Sequence, residues 1–135
     1  MKEIKYVRNA KFIDNVNVVN DINQAVEWLK MGRTIARFEF GDSMQPILKS
    51  GEYNITTPIT DLNSVNVGDV VLCEVEGMLM THMVILKSNG NCDTPFFLIG
   101  SSNLYIYGWT NKIYGVCKGT NVIELPTDIQ YAEEV

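Results

Sequence analysis

Residues 68–86 read GDVVLCEVEGMLMTHMVIL. Two runs rich in Val, Leu, Met and Ile flank Glu76-Gly77, so the stretch predicts two strands joined by a tight hairpin. Gly68-Asp69 is a turn signal ahead of the first strand, and Asp69 is read as a turn former. On the second strand, alternation puts Met80, His82 and Val84 on one face and Thr81, Met83 and Ile85 on the other. His82 is the sole histidine of the chain.

Further strands are predicted on either side of this hairpin. TIARFEF (34–40) alternates Ala36, Phe38 and Phe40 with Arg37 and Glu39, the pattern of a strand with one buried face. EYNITT, PFFLIG and NKIYGVCKG are the other strand candidates, separated by turn signals at Gly51, Pro58, Asn89-Gly90-Asn91 and Gly108. One segment follows a helical period instead. NDINQAVEWLKMGR (20–33) offers Asn20 or Asp21 as N-cap, apolar Ile22, Ala25, Val26 and Leu29, and Gly32 as stop. The residues before it read as a strand or an irregular arm. The expected domain is therefore mainly β with one N-terminal helix. Residues 1–33 form an arm and helix packed on it, 34–120 the β domain and 121–135 a tail.

The chain has 135 residues, 46% hydrophobic and 20% charged, which suits one domain with one core. Its net charge of −5 and scattered Lys and Arg give no electrostatic footprint for nucleic acid. No apolar run approaches the roughly 20 residues of a membrane helix, and the first residues do not read as a secretion signal. The expected location is the cytoplasm, or a virion if the protein is phage-encoded. Cys73, Cys92 and Cys117 are odd in number and include no CxxC pair, so neither a disulfide framework nor a zinc site is indicated; no cofactor is expected.

FEFGDSMQP (38–46) raises the chemical question. Gly41 and Pro46 serve a turn, and Ser43 could simply cap the short turn at 44–48. A serine hydroxyl becomes a nucleophile only when a base takes its proton, and a neutral imidazole suits that task near neutral pH. Ser43 and His82 together are the smallest set that could do this. Their spacing in sequence does not bring them together by itself.

GDSMQPILKSGEYNI, followed by VNVGDVVLCEVEGMLMTHMVIL, FFLIGSSN and IYGVCKG, resembles the serine peptidase superfamily of type I signal peptidases and LexA-like self-cleaving repressors. The likeness runs from about residue 34 to 119 and is nearest to the soluble, histidine-type branch. It implies a coiled antiparallel sheet or partly open barrel. In that superfamily a Gly-x-Ser-Met-x-Pro turn carries the nucleophile, here Ser43. A later hairpin strand carries the base, here His82. The backbone N–H of Ser43, near Gly41, would face the developing oxyanion, and Met44 would line the substrate groove. Asp42 beside the nucleophile reads as a turn residue.

The sequence departs from that pattern in two places. The late loop IGSSNLYIYGWTN (99–111) contains no acid, and Ser101 stands where the relatives have the first aspartate. Ser101 or Ser102 is left as a weak support for the imidazole. Met83 replaces the arginine that follows the histidine. Tyr105, Tyr107 and Trp109 fill a normally polar loop and read as core, self-association or partner contacts.

Two functions follow. The first is a soluble serine endopeptidase with a Ser43–His82 dyad, cutting an extended peptide through an acyl-enzyme. The second is a peptidase-like domain that no longer cuts and serves as a binding or structural module, for example in a phage or mobile-element assembly. A DNA-bound regulator has least support, because the one helix cannot make a helix-turn-helix.

Overall fold

The computed structural model describes residues 16–19, 21–38, 53–88, 94–121 and 130–131. In chain order these contain β1 (Asn17–Val18), α1 (Ile22–Lys30), β2 (Ile35–Phe38) and β3 (Tyr53–Pro58). A 3₁₀ turn (Leu62–Ser64) precedes β4 (Val70–Val75), β5 (Met78–Ser88) and β6 (Phe96–Gly100). Then come β7 (Ile106–Thr110), β8 (Ile113–Asn121) and β9 (Gln130–Tyr131). Among the described residues all nine strands join one sheet in the order β7-β6-β5-β4-β8-β3-β2-β1-β9.

Among the described residues the protein is mainly β with one α-helix, in line with the sequence pattern. The sheet is mixed, however, and not wholly antiparallel: β1 runs parallel to both β2 and β9. The other neighbours are antiparallel. The sheet is not closed, since β7 and β9 stand at opposite ends of its order.

Helix α1 forms where its caps and period dictate. The Asp21 carboxylate accepts the Asn23 N–H at 3.2 Å, a cap contributing ~1 kcal/mol. Ala25, Val26 and Leu29 are buried against Val19, Ile35 and Leu72. Removing a Val or Leu side chain of this kind from water contributes about 1.5–3 kcal/mol. The helix therefore covers one face of β2, β3 and β8, with Leu72 of β4 at the margin of the contact. Ile35 is fully buried beneath it, while Ala36 is fully buried on the opposite face with Val16 and Val18. So β2 is buried on both faces at this point, where alternation had predicted one.

Strand β4 is central for the same reason. Val71, Cys73 and Val75 point into the main core with Val65, Val84, Phe97, Ile99, Ile113 and Val116, while Leu72 points to the helix. A strand covered on both sides reads as a near-continuous apolar run, which VVLCEV is save for Glu74. The hairpin to β5 turns through Glu76 and Gly77, both at positive φ (50° and 81°), with Val75 paired to Met78. That is the two-residue primed turn whose twist matches antiparallel strands.

The β4–β7 end of the sheet rolls over on itself. Although β7 pairs only with β6, a Cβ at Gly108 would lie 3.1 Å from Val75 Cγ1 of β4. Thr110 Oγ1 donates to the Glu74 carbonyl at 2.6 Å, and Glu74 N–H donates to the Lys112 carbonyl at 3.0 Å. The main core fills the inside of this curl.

Gly115 of β8 marks a close approach to β3 and to the helix. A Cβ there would lie 2.7 Å from Thr56 Cγ2, 2.7 Å from the Thr57 carbonyl oxygen and 3.1 Å from Leu29 Cδ1. The carbonyl belongs to β3 and cannot rotate away, so β3 and β8 must part. Gly115→Ala is expected to lower unfolding stability by about 1–3 kcal/mol. A urea midpoint equal to that of the wild type would contradict this packing.

Candidate functional site

His82 occupies the core face of β5, opposite Val71 of β4. Burial along β5 follows the predicted alternation, with His82 and Val84 the buried pair. Only 8% of His82 remains exposed. One face of its ring lies on Tyr107, with centroids 4.3 Å apart and planes 22° from parallel. Tyr105 meets Tyr107 edge-on at 4.8 Å.

Tyr107 reaches the histidine because of an irregularity. In the β6–β7 ladder Ile99 pairs with Gly108, but Gly100 pairs with Ile106. Tyr107 is the extra residue of that bulge, a feature that redirects a side chain. Gly108 stands beside it at φ 144°, a backbone region that favours glycine. Tyr107 is half-buried and packs on the main core.

Burial governs the electrostatics. Desolvation pushes the His82 imidazole down to about 4, because the cationic form loses its hydration and gains no counter-charge among the described residues. The ring is therefore neutral at pH 7. Its Nδ1 is buried and has no hydrogen-bond partner among the described residues.

The residues expected to orient the ring do other work. Ser101 follows Gly100, whose strand partner is Met83, so its backbone lies beside that of His82. It is buried, yet its hydroxyl donates to Asn103 Oδ1 and accepts the Tyr105 N–H at 3.1 Å. Ser101 N–H donates to the Tyr105 carbonyl at 2.8 Å, and Leu104 N–H to the Ser101 carbonyl at 3.0 Å. Ser101 thus ties together the turn leading into β7, and its single proton is already committed. Ser102 is half-buried in the same turn, and it too is no partner of Nδ1. Asp69 behaves as the turn former it was read to be: its Oδ2 accepts the Asn66 N–H at 2.8 Å.

Gly41, Asp42, Ser43 and Met44 lie outside the described residues, as do Phe40 and Cys92. Cys73 and Cys117 are buried thiols outside any disulfide, Cys117 Sγ lies 3.2 Å from Thr56 Oγ1, and burial together with the neighbouring Cys117 pushes the Cys73 thiol up to about 12. It is therefore no nucleophile at neutral pH. Among the described residues no cluster of His, Cys, Asp or Glu is arranged to hold a metal ion. Nor is any helix among them long and apolar enough to cross a membrane.

The aromatic segment divides between two environments. Tyr105 is 63% and Trp109 48% exposed, while Tyr107 turns inward. Trp109 stands opposite Leu98, itself opposite Leu86, on the outer face of β5–β7. Sequence reasoning placed His82 and its face. It took Tyr107 for a loop aromatic and missed its contact with the imidazole.

No family model matches the chain, and neither the curated proteins nor the solved structures contain a match to it.

Proposed function

We propose that the chain is a serine endopeptidase of the signal peptidase–LexA type, with Ser43 as nucleophile and His82 as general base. The observation that carries this reading is a buried, neutral imidazole on the wall of a curled sheet, on the hairpin strand where the sequence resemblance puts the base. A neutral ring holds the lone pair that proton abstraction needs. The substrate would be an extended peptide or protein segment.

The chemistry would run in two halves. Ser43 Oγ attacks the scissile carbonyl carbon while its proton passes to His82. The tetrahedral oxyanion is stabilised by backbone N–H groups near Ser43 and Gly41. Collapse expels the amine, which takes the proton from His82 and leaves an ester on Ser43. A water molecule then gives its proton to His82 and attacks the ester, and the imidazolium returns a proton to Ser43. No carboxylate among the described residues steadies the imidazolium in either half, so turnover is expected to be slow.

The test is acylation by a fluorophosphonate probe at pH 7. The wild type is expected to be labelled at Ser43, and Ser43→Ala and His82→Gln to lose the label. A wild-type chain that stays unlabelled would overturn the reading. The labelling rate should fall at acid pH with a midpoint near the depressed histidine value of about 4, well below the ordinary 6.5.

The second reading, a non-cutting binding or structural module, is favoured by two observations. Nδ1 of His82 has no acceptor among the described residues, while Tyr105 and Trp109 face outward at the sheet edge. An unlabelled Ser43 combined with self-association that Trp109→Ser abolishes would establish it.

A further inference from the structure

We infer that Tyr107 is a positioning residue for His82: its ring, aimed inward by the β7 bulge, fixes the plane of the imidazole where related peptidases use a carboxylate. The inference rests on reading His82 as the general base.

A catalytic histidine must be held in one orientation, or its lone pair meets the serine proton only part of the time. In a triad, a hydrogen bond from Nδ1–H to an acid does this. Here Nδ1 has no hydrogen-bond partner among the described residues. What the ring does have is a stacked aromatic face at 4.3 Å. Stacking restricts rotation about the bond that carries the ring and excludes water from one face. Aromatic pairs of this kind attract beyond the effect of their buried area, enough to favour one ring setting several-fold.

Tyr107 is itself held on three sides. It packs on the main core, Tyr105 closes on it edge-on at 4.8 Å, and the turn before it is tied by Ser101 to the Tyr105 backbone. Ser101, read from sequence as a direct support of the imidazole, thus reaches it only through the segment that carries Tyr107.

The ionisable groups on the elements around the ring are few. Asp69 leads into β4 and has Oδ2 on the Asn66 N–H; β4 carries Cys73 and, on its other face, Glu74 paired with Lys112; Lys87 of β5 donates to the Asn63 carbonyl; Tyr105 and Tyr107 come from the β7 side. None of them moves the histidine, and burial alone lowers it. A contact that contributes to burial therefore becomes readable in the titration of the ring.

The test uses the full chain and its single histidine, whose imidazole proton resonances are unambiguous. In the wild type these resonances should be shifted upfield by the Tyr107 ring current and show cross-relaxation with the Tyr107 ring protons. They should titrate near pH 4. Tyr107→Leu should abolish the ring-current shift, raise the titration midpoint by ~1 unit or more toward the ordinary value, and slow probe labelling of Ser43 about tenfold. Tyr107→Phe, which keeps the ring, should recover most of each loss. An unchanged titration in Tyr107→Leu, or Tyr107→Phe behaving like Tyr107→Leu, overturns the inference. Missing cross-relaxation in the wild type overturns it even if the leucine variant does not fold. A wild type that titrates as described but never labels at Ser43 instead overturns the peptidase reading, and the positioning role falls with it.

Discussion

Phe97→Ala is expected to cost about 3–5 kcal/mol of unfolding free energy. Phe97 is the largest fully buried side chain of the protein's described residues and stands on β6, inside the curl made by β4 to β7. Its neighbours are Val65, Val71, Val75, Val84 and Ile99, mostly short branched side chains seated on hydrogen-bonded strands. Such side chains fill a phenyl-sized void poorly, because branching at Cβ restricts χ1 of Val and Ile and the ladder fixes their Cα positions. The void therefore persists, and its cost adds to the lost transfer energy. Lys87 adds a smaller term: its ammonium passes 5.9 Å from the Phe97 centroid on its way to the Asn63 carbonyl. The measurement is urea unfolding of both proteins at pH 7. A loss below ~1 kcal/mol would mean that the curl can collapse, and then the wall that carries His82 is not rigid.

That wall shows what local sequence pattern can and cannot convey. Helix α1 was legible because its signals lie within a dozen residues: an Asp21 cap, a helical apolar period and Gly32. The β4–β5 hairpin was legible because Glu76-Gly77 sits between two β-rich runs, and the face of His82 followed from alternation alone. Strand β2 was only half legible. Ile35 and Ala36 are both buried because a helix covers one side and β1 residues contribute to the other, and alternation records only one buried face. Strand β7 was missed. Gly108 reads as a break in a segment otherwise rich in β-formers, yet here it serves a bulge that passes close to Val75. The parallel pairing of β1 with β2 and β9 is a tertiary choice made by β1 and β9, two-residue strands that carry no period to read. At the candidate site the same division holds. His82 could be placed from its own strand, but its contact with Tyr107 depends on a register shift two strands away.

Acid should weaken the fold through His82 in particular. The folded imidazole takes its proton only near pH 4, whereas an unfolded histidine does so near 6.5. Between those values the unfolded chain binds more protons than the native one, so stability rises with pH across this window. The histidine contribution is complete above about pH 6.5 and is lost as pH falls to about 4. A gap of this size corresponds to at most ~3 kcal/mol. Carboxylates also titrate toward the lower end of the window, so the wild-type curve alone does not isolate the term. His82→Gln keeps those carboxylates and removes the imidazole. Urea unfolding of both proteins at pH 7, 5.5 and 4.5 should give curves that diverge on acidification, the wild type losing more than the variant. Parallel curves would show that His82 is hydrated or paired in the folded protein. The same depressed basicity bears on catalysis: a ring that resists protonation is always ready to accept the serine proton at pH 7 but holds it weakly, so the histidine-linked loss of stability should level off near the pH, about 4, at which Ser43 labelling is half lost.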